Sequence, residues 1–241
     1  MKTVLLSLLI ITFLIPKHAK AQKEAEATAA IVGGLVAIGA GIAAIEQMEE
    51  NAEYTATQWM LSNQPDVTSF SLKTFDFVGK KLRDVSAASV ITFEIQLFSP
   101  KQDPILDGEK LILFAFTSIG WINEYGIDYT KVKWFLFDRS EWMNMMVAYV
   151  KVSSDEKNET NIQNILTEGK VVNKGVKVKS NLVIPFFNLS GDMYVVTDYS
   201  PEMKLLYNER SLGIFLKDTK DLVQIGREDI VKIHEYFFGK N

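Results

Sequence analysis

The chain has 241 residues, 47% of them apolar, a formal charge of −4 and no cysteine. That length suffices for one domain with a sizeable core. The missing cysteine removes disulfides, thiol catalysis, thiolate metal sites and a lipid-modified amino-terminal cysteine. The acidic balance argues against nucleic acid as a partner and against electrostatic attachment to an anionic lipid surface.

The amino terminus has the composition of an export signal. Lys2 is followed by an apolar run over residues 4–15, broken only by Ser7 and Thr12, and then by a polar exit ending in Ala19-Lys20-Ala21. This predicts a signal peptide over 1–21 and a mature chain of about 220 residues starting at Gln22. Lys2, Lys17 and Lys20 leave with the signal and no acidic residue does, so the mature charge falls to about −7. Export without disulfides suits a bacterial periplasm or cell envelope.

Residues 22–64 read as a helical arm. Residues 29–45 carry no polar side chain, and Ala29, Gly33, Ala37 and Gly41 recur every fourth residue, which places them on one narrow ridge of small side chains. A second backbone can approach such a ridge closely. Seventeen apolar residues stand at the lower limit of a membrane span, yet Glu46, Glu49 and Glu50 follow them where a stop-transfer segment needs lysine or arginine. The segment therefore reads as a helix packed against protein, either its own domain or another copy. Membrane contact through 29–45 is the competing reading. The expected partner is protein, self or envelope, in a homo-oligomer. The helical spacing continues through Met48, Ala52, Thr55, Trp59 and Met60, with a stop at Asn63 and Pro65.

From residue 65 the period changes. Ile91, Phe93 and Ile95 alternate with Thr92, Glu94 and Gln96, which marks a strand with one wet face, while 111–116 is apolar on both faces and reads as an interior strand. Residues 132–137 and 145–152 flank Asp138-Arg139-Ser140-Glu141, and a β-hairpin is the economical interpretation, with a helix starting at Ser140 as its competitor. Further strands are expected at 70–77, 171–178, 183–187, 193–197, 212–216 and 222–225, with Pro185 placing its strand at an edge or bulge. A surface loop is expected over 153–161, then a short helix over 162–166. Ile230, Ile233, His234 and Phe237 share one face of a closing helix that ends at Gly239. The fold class is α+β: the long Gly/Ala-rich arm, a mainly antiparallel β domain over 65–241, and a carboxy-terminal helix.

Chemistry is sparse. The mature chain has a single histidine, His234, whose neighbours mark it as a core residue, and no nucleophile elbow, phosphate loop or dinucleotide fingerprint occurs. The carboxylate pairs Asp138/Glu141 and Asp192/Asp198 are the nearest approach to a hydrolytic centre, and Asp103, Asp107 and Glu109 to a cation loop; turn and loop polarity accounts for all of them. No catalytic residue, cofactor or metal is assigned. The aromatic region Trp121, Tyr125, Tyr129, Trp134 and Trp142 is the candidate ligand-binding surface, for a glycan, peptide or lipid, set against the plainer role of filling the core. The sequence thus favours an exported, non-enzymatic protein that acts through interaction or assembly. A soluble ligand-binding protein is the alternative, and a hydrolase the third reading.

Overall fold

The computed structural model describes residues 41–75, 89–100, 105–123, 126–189, 194–208 and 210–239. Within them the fold is mixed α+β, with four α-helices and antiparallel sheets. Ala29, Gly33 and Ala37 lie outside the described residues, as does Tyr125; Gly41 opens the first helix, α1 (Gly41–Asn63).

The first sheet is built from β1 (Phe70–Thr74), β2 (Ser89–Leu97), β3 (Lys110–Thr117) and β6 (Val132–Phe137), in the order β1-β2-β3-β6. A short hairpin, β4 (Ile122–Asn123) with β5 (Gly126–Ile127), lies in the connection from β3 to β6. The two-residue alternation of the strands divides this sheet cleanly. Ile91, Phe93, Ile95, Leu111, Leu113, Ala115 and Val132 point to one face, where Met48, Ala52, Ala56 and Met60 of α1 cover them. Val90, Ile112, Phe114, Phe116 and Phe137 point to the other and enter the larger core. The doubly apolar pattern of β3 is explained by this sandwiching: it is a central strand with protein on both sides.

The interpretation of 145–152 as a strand is corrected. Those residues lie in α2 (Arg139–Ser153). Asp138 Oδ1 accepts from the Glu141 amide at 2.7 Å and the Glu141 carboxylate accepts from the Asp138 amide at 3.1 Å, a reciprocal cap that starts a helix where a turn was expected. Trp142, Met145, Met146, Tyr149 and Val150 then fall on one buried helical face. The competing helix reading prevails because cap and periodicity together outweigh the strand preference of Val147, Tyr149 and Val150.

The loop of Ser153 to Asn161 is shorter than expected, because α3 (Glu159–Glu168) begins at the Asn158 cap, whose side chain accepts from the Asn161 amide at 2.9 Å. The single strand expected over 171–178 is two, β7 (Lys170–Val172) and β8 (Gly175–Val178), which form a small sheet with β9 (Asn181–Pro185) in the order β7-β8-β9. Gly175 makes the turn, at φ +137° and with the Ile184 carbonyl where a Cβ would stand. Pro185 ends the edge strand β9. A third sheet, β10 (Val195–Asp198), β11 (Met203–Tyr207), β12 (Ser211–Leu216) and β13 (Leu222–Gly226), is a continuous meander. Its strand β11 has no counterpart in the sequence reading.

The closing helix, α4 (Arg227–Phe238), buries Ile230, Ile233, His234 and Phe237 as its spacing predicts. The Tyr236 hydroxyl donates to the Ile95 carbonyl at 2.6 Å and Lys110 Nζ donates to the Tyr236 carbonyl at 2.7 Å, which fastens this helix to the first sheet. One core runs from Val90 to Phe237, so the chain before and after the hydrophilic 154–158 connection folds as a unit.

Candidate functional site

The aromatic residues singled out in the sequence divide between the two faces of the first sheet. Trp142 is fully buried in the large core, its ring stacked on Phe237 with centroids 6.4 Å apart. Trp121, Tyr129 and Trp134 gather on the opposite face beneath α1, around a gap of only about 10 Å³ that Ala52 and Thr55 close from above. Such a volume admits at most one water molecule. Trp121 is buried, and the half-exposed Tyr129 accepts a hydrogen bond from Thr55 Oγ1 at 2.9 Å. These three side chains seat the helix and leave no room between them for a ligand.

The seat is completed by two contacts from α1. The Glu53 carboxylate accepts from both the amide and the hydroxyl of Thr74, at 2.7 and 2.8 Å, so this glutamate reaches down to β1 instead of facing solvent with Glu50. Trp59 stacks on Trp134, centroids 5.9 Å apart and planes inclined by 23°. Ala52 and Ala56, 4% and 0% exposed, supply the close approach between helix and sheet that long side chains would prevent.

Where the Trp59–Trp134 stack reaches the surface it forms one wall of a groove of about 660 Å³. Its floor is β6, an edge strand of the first sheet, and its far wall is Pro201 and Glu202 before β11 with Lys217 and Asp218 after β12. Lys133 of β6 bridges the groove to Asp218, Nζ to Oδ2 at 2.9 Å, and that contact holds the Asp218 carboxyl below its usual range. Lys217 binds Asp198 at 2.8 Å and lowers its pKa in the same way. An edge strand flanked by partly exposed indoles and paired charges has the elements that recognise an extended chain: backbone groups for pairing, apolar shelves for alternate side chains. Trp134 was legible as a candidate; Trp59, Lys133, Lys217 and Asp218 were not, because they come from distant parts of the chain.

The weighed chemistry is otherwise placed in structure. Asp138 and Glu141 are engaged with each other's amides at the start of α2, Asp198 is ion-paired, and Asp192 and Asp103 lie outside the described residues. His234 Nε2 donates to the Leu166 carbonyl at 2.9 Å and the ring stacks on Phe238; burial pushes its pKa down to about 4, with Arg139 adding to the effect and the Leu166 bond opposing it. Among the described residues no group of three or more histidine or carboxylate side chains could hold a metal, and no helix is long and apolar enough to cross a membrane. No family model, no curated protein and no solved structure matches the chain.

Proposed function

We propose that the protein is an exported, non-catalytic component of the cell envelope that works by assembly, with the Gly/Ala segment 29–45 pairing closely with the same segment of another copy. The observation that supports this reading is the anchoring of α1. From Met48 to Met60 the helix is fixed to the first sheet by a buried stripe, the Glu53–Thr74 bonds and the Trp59–Trp134 stack. A partner that grips the small-residue ridge, whose last member Gly41 opens this helix, would thereby be coupled to the β domain. Four glycines within 33–41 weaken an isolated helix by roughly 3 to 4 kcal/mol, a cost that makes sense where a second backbone packs against them. Light scattering on the mature chain from Gln22 tests the proposal: an oligomer is expected, converted to monomer by Gly33→Leu with Gly41→Leu. A monomeric parent protein, or an oligomer indifferent to both substitutions, overturns it.

The groove along β6 favours a second reading, in which an extended apolar peptide adds to that edge over the Trp59–Trp134 shelf. Titration with alternating apolar–polar hexapeptides should then shift tryptophan emission in the parent protein and not in Trp59→Ala. Silence across that set removes this reading.

A further inference from the structure

The outer face of the small β7-β8-β9 sheet gathers lysines whose ammonium groups no carboxylate or backbone carbonyl of the described residues holds. Val171, Val176 and Ile184 turn inward to the core. By the two-residue alternation Lys170 and Val172 face outward on β7, and Lys177 stands directly opposite Lys170 on β8. Lys179 follows in the turn to β9, held with Ser180 at positive φ. Lys170, Lys177 and Lys179 line one concave surface of about 680 Å³ together with Glu168, Val172, Val178 and Ser180. Lys174 occupies the β7–β8 turn.

Two features separate this surface from ordinary lysine solvation. Among the described residues, every lysine outside the small sheet except Lys220 is held by a carboxylate or a backbone carbonyl, whereas Lys170, Lys174, Lys177 and Lys179 have no such partner. Secondly, like charges directly opposite on neighbouring strands, about 5 Å apart at Cβ, oppose sheet formation. A carboxylate or neutral side chain at either position would relieve that repulsion at once. Three lysines against one glutamate leave a net positive cavity on a chain whose overall charge is negative.

We propose that this surface is a binding site for a compact polyanion bearing two or more phosphate groups, which Lys170, Lys177 and Lys179 clasp as point charges. The cavity volume lies in the range of small-ligand sites, and adjacent phosphates are spaced to meet adjacent ammonium groups. Inorganic tripolyphosphate is the probe for a free ligand, and neutral vesicles with and without a lipid whose headgroup bears two phosphomonoester groups are the probe for a membrane-borne one. In calorimetry on the mature chain at low salt, tripolyphosphate should bind saturably, more tightly than orthophosphate by about tenfold, with weakening as salt rises. Lys170→Gln/Lys177→Gln/Lys179→Gln should reduce that affinity at least tenfold, while Lys220→Gln leaves it unchanged. If the natural source is membrane-borne, the phosphomonoester vesicles co-sediment the parent protein and not the triple variant.

Thermal melting without ligand gives an independent reading. Relief of the Lys170–Lys177 repulsion should raise the melting temperature of the triple variant by about 1 to 3 °C. Absence of saturable tripolyphosphate binding, an equal loss in Lys220→Gln, or a lowered melting temperature in the triple variant overturns the proposal.

Discussion

His234 makes the stability of this fold depend on pH in a calculable way. Its ring is 2% exposed, its Nδ1 has no hydrogen-bond partner among the described residues, and its folded pKa of about 4 lies below the ordinary 6.5. The unfolded chain therefore takes up the proton first. The contribution is fully present above pH 6.5, declines as pH falls, and is exhausted below about pH 4. The difference of about 2.5 in pKa corresponds to about 3 kcal/mol in total, of which about 2 kcal/mol is already lost at pH 5. Urea unfolding of the chain from Gln22 and of its His234→Gln variant at pH 7.5, 5 and 4 isolates the effect, because carboxylate contributions cancel between the two proteins. The parent should lose about 2 kcal/mol more than the variant between pH 7.5 and 5. His234 is the only histidine after residue 18, so one imidazole proton resonance reports its titration directly. A midpoint near 6.5, or identical pH slopes for parent and variant, refutes the burial argument.

Three further outcomes are expected from the packing. Met60→Ala removes a fully buried side chain between α1 and the first sheet and should cost about 2 to 5 kcal/mol, seen as a lower urea midpoint and as earlier proteolytic cleavage within α1. Asp138→Ala deletes one half of the α2 cap and should cost about 1 kcal/mol, measured by thermal melting, whereas Asp138→Asn should recover most of it. Glu53→Ala strands the Thr74 amide and hydroxyl and should cost about 1 to 3 kcal/mol, with faster amide exchange at Thr74 as the local signature.

Strands whose two faces meet different surroundings could be read from composition. Ile91, Phe93 and Ile95 against Thr92 and Glu94 mark the strand β2 and its α1-facing side, but the wet face expected for Thr92, Glu94 and Gln96 is corrected: Thr92 is 2% exposed and Val90 enters the larger core, because α4 and the third sheet cover that side. The closing helix is legible because Ile230, Ile233, His234 and Phe237 keep a helical period. Residues 145–152 suit a buried strand as well as a buried helix, because the run is apolar except for Lys151 and its Val and Tyr residues favour strands. The deciding signal stood just upstream in Asp138 and Glu141, whose three-residue spacing matches a capping box. The groove along β6 was only partly visible. Trp134 stands out as an aromatic, but its stacking partner Trp59 and the facing Lys217–Asp218 turn reach it through tertiary structure alone, which no local period encodes. The cationic face of the small sheet is legible only in part for the same reason: Lys177 and Lys179 form one of the denser basic clusters of the sequence, but Lys170 joins them only once the Gly175 turn brings β8 back along β7.

The seating of α1 has a consequence for the order of events at the ribosome. The helix is made first, yet the apolar bed it lies on is not complete until β6 has been synthesised, on the order of ten seconds later at ordinary elongation rates. Until β2 and β3 have been made, Met48, Ala52, Ala56 and Met60 form an apolar stripe without its native bed. A nascent chain of this design invites escort by a holdase, and slowing translation between residues 64 and 132 should lengthen its dependence on one.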